Sequence, residues 1–517
     1  MDIKIDTGVY QKKRRHNMKD GGEFLLTDRT VDRYRSMMME GLDEVCRLFE
    51  TVKSPFSGIS PPELRSRLKR IDTSKPVEHI SELYDELYDL YLKDAVYFHH
   101  PRYLAHLNCP VLIPSLLAEL FASAINTSMD TWDQSAGATL IEEKVIEWIA
   151  KLIGYSDDAD GTFTSGGTQS NFLGLLLARD SILADEIYKD GRASIPLDKV
   201  GSYCVFTSEK THFSIEKACH QLGLGADAII CIPIDRHYRM RAEALEEAAD
   251  VARKAGRKPI AIVATAGTTD FGSIDPLTEI ADFAQKNRIW FHVDAAYGCG
   301  LLASTRDRSR LNGIEYADSV TVDFHKSFFQ PISCSALIVR QSKTLDLLTH
   351  HADYLNPRSA RDADVPNRVD RSIQTTRRFE ALKIWLSLRL IGEDSFGEMF
   401  ECLIDITKKV ANEIKKIPEL RLLVEPSLTT LLFRYEPQFF PDEYIDDINE
   451  AIRSKLSHSG YSMIASTRVN NAVYLKFTLL NPTVQLKDIT SVLWEIVKEG
   501  KKLSTIVSHN YKGVRAS

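Results

Sequence analysis

Short apolar runs alternate with helical stretches between about Gly154 and Arg340. The runs SYCVF, AIICIPI, IAIVATAGTT, IWFHVDAAYG, SVTVDFH and SALIVR are continuous rather than alternating, which predicts strands buried on both faces. Between them NFLGLLLARDSI, FSIEKACHQLG, RAEALEEAADVARKAG and LTEIADFAQKN carry apolar residues at helical spacing. Strand–helix alternation of this kind predicts an α/β fold with a mostly parallel sheet covered on both faces. Ligands of such sheets sit beyond the carboxyl ends of the strands. Residues that carry chemistry are therefore expected just after the runs.

The flanks have a different texture. Residues 1 to about 100 read as helical, with Ile80, Leu83, Leu87, Leu90 and Tyr91 at helical spacing and acids between them. Pro357 to Asp370 (PRSARDADVPNRVD) is polar and holds two prolines, which suits either a linker or a mobile lid. Helix-like FEALKIWLSLRLIG follows. From near Ser395, TKKVANEIKKI, LRLLVEPSLTTLLFRY, DDINEAIRSKLSHSG, VYLKFTLLN and DITSVLWEIVKEGKKL alternate helix, strand, helix, strand, helix. The expected organisation is an N-terminal helical segment (1–100), a large domain (101–394) and a small α+β domain (395–517). No internal repeat is visible.

Composition narrows the function classes. The 517 residues are 44% apolar and 26% charged, enough apolar surface to offset chain entropy and exclude disorder over most of the length. The net charge of −7 argues against a dedicated nucleic-acid binder. The most apolar stretch, Val111 to Ile125, is short for a membrane span and carries Glu119. The N-terminus has no apolar secretory core, and its basic run Lys12 to His16 reads as a solvated arm. None of the 8 cysteines is at C-x-x-C spacing, so reduced thiols in a cytoplasm are expected rather than disulfides or zinc. The pairs His99-His100 and His350-His351 have no i, i+4 partner, and no metal site is expected.

Candidate chemistry lies where the alternation places it. Thr164-Ser165-Gly166-Gly167-Thr168-Gln169-Ser170-Asn171 opens a helix starting near Phe172; glycines and helix N-terminal amides suit an anion. Phe291-His292-Val293-Asp294-Ala295-Ala296-Tyr297-Gly298 ends an apolar strand in a carboxylate, which is costly there unless it meets a cation. Asp323-Phe324-His325-Lys326 sets a lysine at a strand end, where it can serve as a Schiff-base amine. His212, after another strand, is placed to stack on a ring. Anion cradle, ring-nitrogen partner, aldehyde lysine and face cover together are what pyridoxal phosphate requires.

The motifs TSGGTQSN, SEKTHFSIEKA, ATAGTTDFGSIDPL, HVDAAYG and DFHK resemble the pyridoxal-phosphate group II amino-acid decarboxylases, in order, from about His99 to the C-terminus. Within that family the chain is similar to the L-2,4-diaminobutyrate decarboxylases and siderophore-type lysine decarboxylases. That likeness rests on Arg102 to Pro110, Ser128 to Ser135 and Ser372 to Phe379.

The resemblance implies a fold-type-I, aspartate-aminotransferase-like architecture, a homodimer with composite sites, and decarboxylation of an amino acid to an amine. A diamino acid is the expected substrate. The alternatives are an aromatic or acidic amino acid, or aminotransfer on the same fold. Carried over by motif, Lys326 binds the cofactor aldehyde and Asp294 keeps the ring nitrogen protonated. His212 stacks on the ring and Ala296 packs on its other face. Gly167 and Thr168 bind the phosphate with His325, and Thr269 supports the cofactor. Tyr354 matches a catalytic tyrosine, and His106, Asn108 and Cys109 match a stretch lining the substrate pocket. Aromatic decarboxylases have asparagine where Asp323 stands, beside the phosphate; an aspartate would repel that anion, so Asp323 is left outside the expected site.

Overall fold

The predicted apolar runs become strands because their β-branched and aromatic residues pack on both faces of one sheet. The computed structural model describes residues 21–184, 188–189, 192–193, 201–357, 359, 363, 365–438 and 440–515. In chain order the strands are β1 (Asp160–Thr164), β2 (Tyr188–Lys189), β3 (Arg192–Ala193), β4 (Tyr203–Ser208), β5 (Ile229–Ile232), β6 (Lys258–Thr265) and β7 (Trp290–Asp294). They continue as β8 (Ser319–Asp323), β9 (Ser335–Val339), β10 (Leu420–Leu422), β11 (Thr430–Tyr435), β12 (Ala465–Val469) and β13 (Ala472–Thr478).

A seven-stranded sheet runs β1-β9-β8-β7-β6-β4-β5. The pairs from β5 through β8 are parallel, while β9 is antiparallel to both of its neighbours. This is the fold-type-I α/β architecture. Side chains alternate between two cores: Cys204, Phe206, Ile262, Ala264 and Phe291 face one way, and Tyr203, Val205, Ala261, Val263 and Trp290 the other. A second sheet, β10-β11-β13-β12, is antiparallel throughout.

Register sets where the site forms. Thr265 pairs with Asp294, and Asp294 with Thr321, so the carboxyl ends of β6, β7 and β8 finish together. The helix Gly167–Ile182 begins five residues before Phe172, directly after the turn that follows β1. Four strands escaped the pattern, among them the two-residue β2 and β3. In β1 (DGTFT) glycine and threonines hide the apolar signal, and β12 (ASTRV) has a half-exposed middle. The run LRLLVEPSLTTLLFRY is two strands, because Pro426 stands between β10 and β11.

The chain divides into two compact units, 1–53 and 54–517. In the first, the helix Val31–Thr51 has no buried residue and leaves Met38, Leu42, Val45 and Phe49 exposed. In the second, the expected helix around Ile80 spans Ile80–Leu90.

The polar stretch 357–370 lies partly outside the described residues, at 358, 360–362 and 364. Its end is anchored. Asn367 Oδ1 accepts from the Trp132 amide at 2.9 Å, and the Val369 amide donates to Asp130 O at 2.8 Å. Arg368 is buried with Glu142 (3.2 Å), which also binds Arg377 at 2.7 Å. Burial would raise the Glu142 pKa, but Arg377 and Arg368 outweigh it and hold the pKa below the usual range. This carboxylate therefore adds stability above the ordinary glutamate range and loses it as pH falls through the depressed pKa. Glu142→Gln takes the carboxylate from the buried Arg377 and leaves Arg368 only the carboxylates of Glu143 and Asp160, at 3.6 and 3.7 Å, and should cost about 3–5 kcal/mol in urea unfolding at neutral pH. An unchanged midpoint would mean that water or other groups compensate the two guanidinium groups.

Candidate functional site

Lys326 stands on the single helical turn Phe324–Ser327 that follows β8. Its Nζ is 2.8 Å from Asp323 Oδ2, and His325 Nε2 lies 3.7 Å from the same oxygen. The Ser335 hydroxyl donates to the other oxygen, as the β8–β9 register dictates by pairing Asp323 with Ser335. Burial pulls the Lys326 pKa down, but the Asp323 charge and hydrogen bond, with Asp294 behind them, outweigh it and leave the pKa raised. Burial likewise works against the Asp323 carboxylate, yet Lys326 and His325 keep its pKa low. The two groups thus form a buried ion pair.

Asp294 ends β7 and is buried. Its Oδ1 accepts from the Ala296 amide at 3.1 Å, and its Oδ2 accepts from Asn171 Nδ2 at 2.8 Å. Asn171 belongs to the helix Gly167–Ile182, so this contact ties helix to sheet below the pocket. His212 follows β4, with Nδ1 2.8 Å from Ser214 Oγ. Its pKa is lowered, first by burial and then by Lys326, against the pull of Asp294 and Asp323.

These groups surround one cavity of about 310 Å³, lined among others by Gly167, Thr168, Thr265, Thr269, Ala296 and Tyr297. A Cβ on Gly167 would lie 3.0 Å from the Asp323 carboxylate and 3.3 Å from Ala296 Cβ, so only glycine leaves this wall open. Among the described residues the Gly167 and Thr168 amides, at the start of a 16-residue helix, donate to no acceptor. The buried Thr265 hydroxyl has no partner either. Free helix-end amides, a buried acid, a lysine and an orphaned hydroxyl around one space fit pyridoxal phosphate.

The structure brings together Lys326, Asp294, His212, Ala296, Gly167, Thr168, Thr269 and His325. From His106 to Cys109 it is Leu107 that reaches the wall. His106 is exposed, and Asn108 accepts from Tyr103 OH at 3.0 Å. Cys109 is buried with its thiol on His325 O at 3.4 Å; burial pushes that thiol up to about 12. Tyr354 is 89% exposed and does not line the cavity of this chain.

Three residues around the site carry no role in the sequence pattern: Asp323, Asn171 and Asp270. Asp323, expected outside the site, lines the cavity with its charge turned onto Lys326 and Ser335. Asn171 lies one helical turn after Gly167, and that spacing was the available signal. Asp270, next to Thr269, binds Lys476 Nζ and Thr467 Oγ1, both at 2.8 Å, and so fastens the loop to the small sheet. No sequence pattern announces that tertiary contact.

The pyridoxal-dependent decarboxylase conserved domain matches residues 62–436. The chain belongs to that family. It is 42% identical over 475 residues to the L-2,4-diaminobutyrate decarboxylase of Rhizobium meliloti, covering 91% of this chain and 92% of the relative. It is 37% identical over 487 residues to that of Acinetobacter baumannii, covering 92% and 95%. One solved structure is the glutamate decarboxylase domain of diaminobutyrate-pyruvate transaminase and L-2,4-diaminobutyrate decarboxylase from Vibrio parahaemolyticus. It superposes with TM-score 0.84 at 35% identity, covering 92% of this chain and 97% of that one. The chain is a pyridoxal-phosphate-dependent amino-acid decarboxylase.

Within such an enzyme the Asp323–Lys326 pair has a measurable consequence. An ammonium cannot attack an aldehyde, so Lys326 must first lose the proton that Asp323 holds on it. In Asp323→Asn the lysine should deprotonate at lower pH. The midpoint of the rate of cofactor uptake by cofactor-free protein, followed by absorbance, should move down the pH scale. An unshifted midpoint would show that Asp323 does not control this proton.

Proposed function

We propose that this chain decarboxylates a short L-diamino acid, with L-2,4-diaminobutyrate the first candidate. The observation that carries the reading is likeness to diaminobutyrate decarboxylases over nearly the whole length of both chains. Pyridoxal phosphate, when bound, supplies the electron sink that lets the Cα–carboxylate bond break. Lys326 would hold the cofactor aldehyde. Asp294 would face the ring nitrogen and keep it protonated by its charge. His212 and Ala296 would cover the two ring faces. The Gly167 and Thr168 amides would take the phosphate with His325, and Thr269 would support the loop beside it. From the stretch 106–109, Leu107 edges the substrate end. The division into 1–100, 101–394 and 395–517 belongs to the same reading, as does a cytoplasmic setting for the eight free thiols. Among the described residues no helix is long and apolar enough to cross a membrane.

A panel of 2,4-diaminobutyrate, ornithine, lysine, glutamate, aspartate, tyrosine and DOPA, scored by CO2 release, tests the substrate. The highest kcat/KM should fall on 2,4-diaminobutyrate. Its neighbours differ by one or two methylenes, each worth about 1–3 kcal/mol, so partial turnover of ornithine is expected. Preference for an aromatic or acidic substrate would overturn the reading.

The proposal includes a homodimer. The helix Ile113–Ile125 exposes Ile113, Leu116, Leu117, Leu120, Phe121 and Ile125, an i, i+3, i+4, i+7, i+8, i+12 stripe that the described residues of one chain leave uncovered. A two-fold copy would bury it, and a composite site would give the exposed Tyr354 a cavity to serve. Leu117→Glu combined with Phe121→Glu should convert a dimer to a monomer by light scattering. A dimer of unchanged stability would place the interface elsewhere.

Tyr354 is assigned the delivery of a proton to Cα after CO2 leaves. Tyr354→Phe removes one hydroxyl and little volume, so folding and cofactor binding should survive. The ratio of amine to CO2 should drop well below one, with aldehyde and pyridoxamine phosphate appearing in equal amounts, since the cofactor would keep the amino group and water would supply the aldehyde oxygen. Equal amounts of amine and CO2 at the parent rate would assign the proton to another group.

A further inference from the structure

A chain of buried hydrogen bonds runs under the cavity from Trp290 to His212, and two groups on it, the Trp290 indole and the Asp294 carboxylate, have fixed polarity. The Trp290 indole N–H only donates, and it does so to Ser319 Oγ at 2.9 Å. Ser319 Oγ also lies 2.8 Å from His292 Nδ1. His292 Nε2 is 3.0 Å from Asn171 Oδ1, which the Thr321 hydroxyl also approaches at 2.7 Å. Asn171 Nδ2 reaches Asp294 Oδ2 at 2.8 Å and Ser214 Oγ at 2.9 Å. Ser214 Oγ meets His212 Nδ1 at 2.8 Å, and the Ser214 amide points at the same nitrogen from 3.3 Å.

We propose that this relay fixes His212 as the tautomer carrying its proton on Nε2, with Asn171 as the positioning residue that couples His212 to Asp294. The Asp294 carboxylate only accepts, so the Asn171 amide nitrogen must face it and the Asn171 oxygen must face His292. An amide oxygen accepts only, so His292 donates from Nε2. Its Nδ1 then accepts from the Ser319 hydroxyl, whose lone pair takes the Trp290 N–H. His292 is fully buried, which pushes its pKa down to about 4 and keeps the ring neutral, as this pattern requires. On the other side Ser214 Oγ accepts from Asn171 and turns its own hydrogen to His212 Nδ1. The Ser214 amide can point at Nδ1 only if that nitrogen carries no proton.

The relay depends on close packing between helix and sheet. A Cβ at Gly174 would lie 2.7 Å from the His292 ring, so any larger residue would push the helix, and Asn171 with it, off the network. His212 lines the cavity that also holds Lys326. The consequence is a neutral N–H donor in the cavity wall, suited to an anionic oxygen of a bound amino acid. Because the ring is uncharged, it leaves the Asp294 charge for the cofactor nitrogen.

The test uses cofactor-free full-length protein labelled with 15N-histidine, in which the nitrogen shifts separate protonated from unprotonated ring nitrogens. The difference spectrum against His212→Gln assigns the residue. The expected result for the parent chain is a single neutral form with Nε2 protonated; Nδ1 protonated, or a rapid mixture, would overturn the proposal without any relay variant. Ser214→Ala removes the 2.8 Å hydroxyl and leaves only the longer amide contact on Nδ1, so it should admit a measurable fraction of the Nδ1-protonated form, while Ser214→Thr, which keeps the hydroxyl, should restore the parent spectrum. A parent-like spectrum in Ser214→Ala would show that the relay does not set the tautomer.

Discussion

A single buried carboxylate, Asp294, constrains the centre of this molecule. It ends β7 where the register also delivers the ends of β6 and β8, out of reach of bulk water. An anion there is tolerable only if donors surround it. The Ala296 amide supplies one from its own loop, and Asn171 supplies the other from the helix Gly167–Ile182. The second contact draws that helix down on the sheet, and the close approach leaves no room for a side chain at Gly174. The same helix presents its free N-terminal amides to the cavity. Solving the charge of Asp294 therefore also positions the anion cradle.

A second carboxylate answers to a different need. Asp323, at the end of β8 and paired directly with the antiparallel β9, binds Lys326 on the helical turn and Ser335 on β9. Two acids and one lysine share a small volume with one net negative charge among them. That arrangement suits a cationic ring nitrogen, which would bring the balance toward neutrality. The small sheet adds stiffness from outside: Lys476 and Thr467 grip Asp270, and Tyr297 OH lies 2.7 Å from Thr429 Oγ1.

Much of this was legible in the chain itself. Continuous apolar runs marked β4 to β9 because a strand covered on both faces has no polar side to show. Lys326, Asp294, Gly167 and His212 were findable because parallel sheets gather chemistry at strand ends. β1 and β12 were not, since glycine, threonine and an exposed edge erase the apolar signal. The residues 106–109 misled for a related reason: the stretch is irregular, so motif position did not say that Leu107, and not His106, Asn108 or Cys109, turns to the wall.

Sequence alone determined the alternation of strand and helix, and with it the fold class, the cofactor chemistry and the main residues that bear it. Those follow from local properties: side-chain periodicity, backbone freedom at glycine, and the type of each group after a strand. Tertiary structure decided the rest. It turned Asp323 onto Lys326, joined Asn171 to Asp294 and His212, paired Glu142 with Arg368 and Arg377 across more than two hundred residues, and left Tyr354 in solvent. Each outcome depends on the direction a side chain takes when distant segments meet. That direction is set by sheet register and helix packing, which no local pattern encodes.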